Sequence, residues 1–270
     1  MKAAIKRPVI FTDLDGTLLD HDTYSFAPAA ATLEYLIREH IPVVLNSSKT
    51  LAELIDVRAG LRLPDPVVCE NGAFIDVPEG YFSHPFPLRD APPPRDVLQS
   101  AYLEVVRAGG YDCEAFFELG VEGIARVTGL DLDAAAKAND RRATEPVLWR
   151  DGGAEFNEFC AAIERRGLRC VRGGRFVHVM GNADKASAML DLMSAFAREE
   201  PRLPPTSIAL GDGPNDADML AAADIAVIVR APHGRTIDLG DHPRVIRTEE
   251  YGPHGWHNAI SQLLGIGQRG

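Results

Sequence analysis

The N-terminal part of the chain alternates short apolar runs with longer segments whose apolar side chains recur at helical spacing. Residues 9–12, 42–46 and 66–69 are mostly apolar runs, typical of strands that are buried on both faces. Residues 28–40 carry a helical apolar face, and residues 50–53 form a capping box that opens a second helix. This β-α-β-α-β order predicts a parallel sheet with right-handed crossover connections.

The hydrophobic pattern changes after residue 72. Residues 73–77 and 81–86 predict a hairpin, and the proline-rich stretch 85–94 predicts a linker. Helices are then predicted near residues 95–108, 121–128, 131–138 and 154–166, and strands near residues 145–149, 168–172 and 175–180. This middle block is expected to form a separate α+β unit.

The first pattern returns in the C-terminal part of the chain. Residues 185–198 predict a helix with Asp184 as its N-cap. Apolar strands at 207–210 and 225–229 flank a short helix at 215–222, and the last residues, 265–270, are expected to fray. We therefore predict an α/β fold with a doubly wound, Rossmann-like parallel-sheet core. The predicted core comprises residues 1–84 and 181–270, and the predicted inserted α+β cap domain comprises residues 85–180.

Composition and charge narrow the classes of partner. The chain has 270 residues, 46% of them hydrophobic and 25% charged, which is the balance of a protein that buries a core. Its formal net charge of −11 disfavours nucleic acid and anionic membranes as partners, so an anionic substrate would need local cations. Four widely spaced cysteines predict reduced thiols. Because no apolar run suits a signal peptide or a membrane span, we expect a cytoplasmic protein; the sequence leaves its oligomeric state open.

A pair of carboxylates follows the first predicted strand. Asp13 and Asp15 lie in the segment Phe11-Thr-Asp-Leu-Asp-Gly-Thr17, at the carboxyl end of a buried strand, where open α/β sheets bind their ligands. Paired carboxylate oxygens suit Mg²⁺. An aspartate-rich turn is the alternative for such a short motif, but the apolar strand before it and the Gly16-Thr17 that follows favour a site.

Three further segments stand at comparable positions. Gly211-Asp-Gly-Pro-Asn-Asp216 again follows an apolar strand and precedes a helix, although a plain turn has the same composition. Ser47-Ser48-Lys49 precedes a helix N-terminus and suits phosphate, with an ordinary cap cluster as the alternative. Lys185 opens a helix, where a cation is unfavourable unless an anion compensates it, and a solvated lysine is the alternative.

These four pieces, in this order, resemble the D-x-D-x-T/V, Ser/Thr, Lys and G-D-x-x-x-D motifs of the haloacid dehalogenase superfamily of phosphatases. The resemblance implies that Asp13 is a nucleophile that becomes phosphorylated and that Asp15 is the general acid and base. It implies Mg²⁺ as the cofactor, held by Asp13, the backbone carbonyl of Asp15 and Asp212, with Asp216 in support.

The same resemblance assigns the remaining core residues to the phosphoryl group. Lys185 and Ser47 would neutralise its oxygens, while Gly16 and Asn46 would add further bonds to it. Ser48 and Asn215 belong to the same motifs and are expected to line the substrate site. The insertion before Lys185 resembles the type IIB α/β cap of the sugar phosphatases in this superfamily.

A closer resemblance is to the mannosyl-3-phosphoglycerate phosphatases. It rests on the segments 12–24, Asn46-Ser-Ser-Lys-Thr50, Glu70-Asn-Gly72, Gly174-Arg-Phe-Val-His178 and Gly252-Pro-His-Gly-Trp256. The cap stretch Arg141-Arg-Ala-Thr-Glu-Pro146 is similar but looser. It implies a small anionic sugar-phosphate substrate, hydrolysed to mannosylglycerate and phosphate. A phosphoglycerate carries a carboxylate beside its phosphate, so cap cations are expected; Arg142, Arg172 and Arg175 are the candidates, with Asn71 at the gap between core and cap.

Other functions remain open at this point. The substrate could be glucosyl-3-phosphoglycerate or sucrose phosphate. A phosphomannomutase has the same fold, but it would depend on a bisphosphate activator, whereas a phosphatase releases phosphate from substrate alone. A receiver module also carries a phosphorylatable aspartate and a lysine on a parallel sheet, but it lacks a cap and is shorter.

Overall fold

The computed structural model describes residues 5–87, 90–173, 175–232 and 237–267. The described strands are Pro8–Thr12 (β1), Val43–Asn46 (β2), Val67–Cys69 (β3), Phe74–Asp76 (β4), Cys113–Ala115 (β5), Thr144–Trp149 (β6), Arg169–Arg172 (β7), Val177–Met180 (β8), Thr206–Gly211 (β9), Ile225–Arg230 (β10) and Val245–Tyr251 (β11). The described α-helices are Ala30–Arg38 (α1), Leu51–Leu61 (α2), Arg95–Gly109 (α3), Phe116–Thr128 (α4), Leu132–Asn139 (α5), Gly153–Glu164 (α6), Lys185–Glu199 (α7), Ala217–Ala222 (α8) and Gly252–Leu264 (α9).

A seven-stranded sheet is built from both ends of the chain, in the order β11-β10-β9-β1-β2-β3-β4. Every neighbouring pair in it is parallel except β3 and β4. The order reverses direction at β1, since the chain moves outward from β1 to β4 and then resumes on the other side at β9. Parallel sheets that reverse in this way bind ligands at the carboxyl edge beside the switch point.

Helices cover both faces of this sheet, which confirms the predicted α/β, doubly wound core. Ile10 of β1 packs into an apolar cluster with α1, α2 and α9, whereas its neighbours Val9 and Phe11 pack into a second cluster with α7 and α8. Alternate side chains of a strand point to opposite faces, so a continuous apolar run is what a sheet covered on both sides requires. The α9 residue Trp256 also donates a hydrogen bond from Nε1 to the Thr12 hydroxyl, 3.1 Å away, at the end of β1.

A four-stranded antiparallel sheet, in the order β5-β6-β8-β7, is built from the middle of the chain. Its main apolar cluster joins α3 and α6 to this sheet, with Tyr102 and Phe159 fully buried. We call this unit the cap and the seven-stranded unit the core. An α+β unit within the chain agrees with the sequence, and the boundaries at residues 85 and 180 stay predictions.

The predicted hairpin over 73–77 and 81–86 is wrong. Only Phe74–Asp76 forms a strand there, and it pairs with β3. Tyr81 and Phe82 instead set their rings edge-on to Phe196 of α7, with centroids 6.1 and 5.1 Å apart. The aromatic residues that resembled a strand therefore cover the helical layer of the core.

Several local expectations are confirmed and others are incomplete. Thr50 forms the capping box with Glu53, and the Asp184 side chain caps α7 by accepting from the Ser187 amide at 2.6 Å. The prediction omitted β5, β11 and α9, and it began α4 five residues late. Residues 265–267 form a turn, and 268–270 lie outside the described residues. No helix in the described ranges is long and apolar enough to cross a membrane.

Candidate active site

The carboxyl edge of the core sheet gathers the motif residues. Asp13 follows the last residue of β1, and its backbone amide bonds the carbonyl of Leu210 in β9 at 2.9 Å. Asp212 follows the end of β9, and Ser47 follows the end of β2. Residues far apart in sequence thus meet because neighbouring parallel strands end at one edge.

Lys185, the first residue of α7, lies between two aspartates. Its Nζ is 2.7 Å from Asp13 Oδ1 and 2.7 Å from Asp216 Oδ1, and all three residues are buried. The two carboxylates are the anions that a lysine at a helix N-terminus requires. Burial alone would lower the pKa of Lys185, but Asp13 and Asp216 raise it above its ordinary value, so the lysine stays charged.

The loop after β9 is shaped around Asp216. Its Oδ2 accepts hydrogen bonds from the amides of Asp212 and Gly213, at 3.2 and 3.0 Å. Asp212 Oδ1 accepts from the Thr17 hydroxyl at 2.9 Å, which links this loop to the first motif. Gly16, at φ +82°, lies so close that a Cβ there would be 2.7 Å from Asp212 Oδ2, so the position favours glycine. Glycine at position 16 therefore allows the loop after β1 and the loop after β9 to pack closely together.

The carboxylates of Asp13, Asp212 and Asp216 form the cluster that fits a cation. One oxygen from each lies within 4.8 Å of the others. Burial and the neighbouring aspartates raise the pKa values of Asp13 and Asp212, although Lys185 opposes the rise. Hard oxygen donors with excess negative charge suit Mg²⁺. The Asp15 side chain does not belong to this cluster; its Oδ2 pairs with Lys49 Nζ at 2.9 Å.

A cavity of about 230 Å³ lies between these carboxylates and the cap. Its core wall includes Asp13, Asp15, Ser48, Lys49 and Asp212, and its cap wall includes Phe116, Arg141, Arg175, Phe176 and His178. Carboxylates together with Lys49 therefore line the core side of the cavity, while arginines and aromatic rings line the cap side. A ligand held here would contact the core and the cap together.

Comparison with known proteins agrees with this geometry. The family model described as haloacid dehalogenase-like hydrolase matches residues 10–101. The chain is 33% identical over 274 residues to a glucosyl-3-phosphoglycerate/mannosyl-3-phosphoglycerate phosphatase of Methanococcoides burtonii, covering 95% of this chain and 97% of the relative. A relative of the same name from Persephonella marina is 31% identical over 97% of this chain and 99% of its own. The chain belongs to the haloacid dehalogenase-like hydrolases.

Membership makes the protein a phosphoric monoester hydrolase and removes the receiver-module alternative. A solved structure with the same fold is the sucrose-phosphatase of Synechocystis sp. PCC6803, in complex with sucrose and phosphate. It superposes with a TM-score of 0.63 at 17% identity, covering 96% of this chain and 98% of that one. The shared fold includes both the Rossmann-like core and the cap.

The loop after β2 differs in detail from the expected phosphate cradle. The Thr50 and Glu53 amides are used inside the capping box. Ser47 is buried, and its Oγ accepts from the Lys49 amide at 3.3 Å, while Ser48 lines the cavity. Asn46, also buried, donates from Nδ2 to the Lys185 carbonyl at 3.0 Å, so its position is that of a support for Lys185.

The three cap arginines chosen from sequence have different positions. Arg175 lines the cavity, where it donates to the Tyr24 hydroxyl at 3.0 Å. Arg172 lies over the Phe156 ring, 4.6 Å from its centroid, and lines a second cavity of about 210 Å³. Arg142 is exposed and lines neither cavity. The expected substrate contact of Arg142 is therefore not supported by its position.

The two asparagines lie near the second cavity. Asn71 is buried at φ 56°, lines this cavity beside Lys185, and leaves both polar atoms of its side chain without a partner among the described residues. Asn215 lines both cavities. The second cavity is thus lined by Lys185 and Asn215 but by neither Asp13 nor Asp15.

Sequence reasoning missed several residues of the main cavity wall, including Tyr24, Lys49, Arg141 and His178. Lys49 was visible within the Ser-Ser-Lys motif, and its contact with Asp15 follows from the two strand ends being adjacent. His178 is buried, and burial together with Arg141 and Lys185 lowers its pKa to about 3, so it is neutral. Tyr24 and Arg141 lie in segments that carry the family resemblance, but nothing in those segments shows that either side chain reaches the cavity.

Proposed function

We propose that this protein hydrolyses mannosyl-3-phosphoglycerate to mannosylglycerate and phosphate, through a phospho-aspartate on Asp13 and with Mg²⁺ as cofactor. The observation that carries the proposal is the placement of Asp13 beside Lys185 and Asp212 on the floor of a cavity with a cationic cap wall. The names of the two relatives, each covering nearly the whole chain, support a glycosyl-3-phosphoglycerate as substrate.

In the first step, an Asp13 carboxylate oxygen attacks phosphorus and forms an acyl phosphate. The bond between phosphorus and the ester oxygen breaks, and its electron pair stays on that oxygen. Asp15 protonates the departing oxygen. Its Oδ1 is free of any hydrogen bond to the described residues, and the residue lines the cavity, which suits this role.

In the second step, water attacks the phosphorus of the acyl phosphate. Asp15, now ionised, takes a proton from that water, and the bond between phosphorus and Asp13 breaks. Phosphate leaves and the Asp13 carboxylate is restored. Lys49, 2.9 Å from Asp15 Oδ2, holds this carboxylate in place between the two proton transfers.

Mg²⁺ would be held by Asp13 and Asp212, and by the Asp15 carbonyl as the family resemblance implies. When bound, it supplies positive charge that offsets the negative charge on the phosphoryl oxygens. Asp216 already bonds Lys185 and two loop amides, so its part is to fix the loop that carries Asp212. Lys185, and Ser47 by the family resemblance, would stabilise the phosphoryl oxygens in the transition state.

The test is a phosphate-release assay over a small set of substrates. We expect mannosyl-3-phosphoglycerate to lead, glucosyl-3-phosphoglycerate to follow, and a chelator to abolish the rate until Mg²⁺ is returned. A strong preference for sucrose phosphate or a simple hexose phosphate would overturn the substrate. A rate that appears only with a bisphosphate activator would favour the phosphomannomutase alternative. A rate that survives chelation would contradict the metal.

The compartment and partners follow from the same proposal. All four cysteines are free thiols and lie among the described residues, which supports a reducing compartment such as the cytoplasm. The proposed partner is a small anionic substrate, with neither nucleic acid nor membrane involved. Fractionation of cells that express the tagged protein tests the compartment.

A further inference from the structure

Arg141 is a cavity-lining arginine that reaches from the cap to the loop after β2 in the core. It precedes β6, and its guanidinium donates from Nε to the Ala138 carbonyl at 3.0 Å. Its Nη1 donates to the Thr144 hydroxyl at 2.9 Å and to the Ser48 carbonyl at 3.1 Å. The Ser48 contact crosses from cap to core and ends on the loop that carries Ser47 and Lys49. Arg141 is thus held between the cap and the core, beside the proposed phosphate site.

The charge of Arg141 is only partly matched. Its bonds to described residues use uncharged acceptors, leave Nη2 without one, and include no ion pair with a described carboxylate. Glu53, Glu70 and Glu145 attract it only at longer range, and each already has closer partners. Arg141 is half-buried in the cavity wall and has no ion pair with a described carboxylate, so it favours a bound anion.

The covalent structure of a phosphoglycerate determines where that anion lies. Only the ester oxygen and two carbons separate the phosphorus from the carboxyl carbon, so the two centres lie within about 5 Å. A receptor for the carboxylate must therefore lie at the edge of the phosphate site. Arg141, through its contact with Ser48, occupies that edge.

The other two cationic side chains of the cavity wall suit this role less well. Lys49 is already paired with Asp15 at 2.9 Å and lies 3.9 Å from Glu53. Arg175 is exposed, and its hydrogen bonds run to Tyr24 and to the Thr128 carbonyl. The charge of Lys49 is thus already matched by carboxylates, and Arg175 makes no hydrogen bond to the loop that carries Ser47.

We propose that Arg141 is the specificity-determining residue that binds the carboxylate of the substrate through Nη2. The proposal rests on the proposed function and names the group that recognises the phosphoglycerate part of the substrate. A guanidinium and a carboxylate form charge-assisted hydrogen bonds, which are roughly twice as strong as those between neutral groups. The sugar attached to the same substrate would then contact the remaining cap wall.

Glu70 is the positioning residue that holds Arg141 in this orientation. This buried core residue accepts from the Arg142 and Ala143 amides at 2.9 and 3.1 Å, and from the Thr144 hydroxyl at 2.7 Å. The Thr144 hydroxyl accepts in turn from Arg141. Glu70 thereby fixes the segment 142–144 on the core and directs Arg141 into the cavity and Arg142 outward.

The experiment compares two probes that differ by one group. 3-Phosphoglycerate and glycerol 3-phosphate share the phosphate ester, and only the first carries a carboxylate. Their dissociation constants are measured by calorimetry with Mg²⁺ for the wild type, Arg141→Gln, Arg141→Lys and the matched control Arg142→Gln. We expect the wild type to prefer 3-phosphoglycerate by at least about tenfold, Arg141→Gln to lose that preference, and Arg141→Lys to keep part of it.

Because both probes are measured on the same protein, their ratio is insensitive to partial misfolding of a variant. Retention of the preference in Arg141→Gln, or its loss in Arg142→Gln, would overturn the inference, as would a wild type without any preference. Failure of the proposed function is a separate result, since it would appear as a wild type that releases no phosphate from either glycosyl-3-phosphoglycerate.

Discussion

The core edge and the cap wall of the same cavity are built on different chemistry. On the core side, Asp13, Asp212 and Asp216 surround a single buried lysine, Lys185, and the loops that hold them are tied by backbone bonds. On the cap side, an arginine with an unmatched charge lies among aromatic rings and a neutral histidine. In the function we propose, the core side holds the reactive groups and the cap side recognises the substrate.

This difference indicates how the proposed function is divided between the core and the cap. In the proposed mechanism, the core groups act on phosphorus, which every phosphate ester presents in the same way. The cap groups would contact the part of the substrate that varies between phosphate esters. We therefore expect core substitutions to remove turnover of every substrate, and cap substitutions to change the order of substrates.

The largest effect is expected from Asp13→Asn. Removing the nucleophile should lower kcat for all substrates by on the order of 10⁴-fold or more. The matched control is Asp218→Asn, an exposed aspartate on the same edge, which should keep its turnover. Turnover is followed by phosphate release, and circular dichroism verifies the fold. If Asp13→Asn hydrolysed one substrate as fast as the wild type but not another, the proposed division between core and cap would be contradicted.

Lys185→Met should damage both activity and stability. The change leaves Asp13 and Asp216 buried without their shared cation, so we expect a loss of about 3–5 kcal/mol in the free energy of unfolding, measured with urea and without Mg²⁺. Lys137→Met, whose ion pairs with Asp56 and Asp133 lie on the surface, is the control and should change stability little. A Lys185→Met variant as stable as the wild type would contradict the buried pairing.

His178 tests the neutral character of the cap wall. Its pKa is lowered from 6.5 to about 3 by burial and by Arg141 and Lys185, so the unfolded chain binds the proton first as the pH falls. Its contribution to stability is complete above pH 6.5 and is lost progressively between pH 6.5 and 3, by about 2 kcal/mol at pH 5. Urea unfolding at pH 7 and 5 should show this loss in the wild type and not in His178→Asn. An equal loss in both proteins would mean that His178 is protonated in the folded state.

A smaller effect distinguishes two buried glutamates. Glu70 bonds the cap from the core, whereas Glu145, fully buried, bonds Arg95, Gln99 and the Phe117 amide within the cap. Glu70→Gln should loosen the segment 142–144 that positions Arg141 and raise KM about tenfold, a change of about 1.4 kcal/mol. Glu145→Gln should lower Tm without raising KM. A KM that rises equally in both variants would mean that Glu70 acts only through the stability of the cap.

The core was largely predictable because its signals are local. Asp13 and Asp212 each directly follow an apolar strand, Asp15 comes two residues after Asp13, and parallel strands bring those ends to one edge. Lys185 was predictable because it is a cation at a helix N-terminus, where a positive charge is unfavourable unless an anion lies nearby. The sequence was therefore sufficient to predict hydrolysis of a phosphate ester.

The cap was less predictable because its side chains depend on long-range contacts. Arg141 and Arg142 are adjacent and chemically alike, and only the bonds from Glu70, about seventy residues away, decide which one faces the cavity. The edge strand β11 was missed since charged residues interrupt its apolar pattern. Tyr81 and Phe82 resembled a strand because packing on α7 leaves no periodic trace in the sequence.

The central claim is that bond cleavage begins with a phosphoryl group on Asp13. The most direct test is rapid quenching of the wild type during turnover of mannosyl-3-phosphoglycerate with Mg²⁺, followed by reductive trapping of acyl phosphates and peptide mapping by mass spectrometry. We predict a modified residue at position 13 in the wild type and none in Asp13→Asn. Modification of another residue, or turnover with no trapped Asp13, would contradict the account.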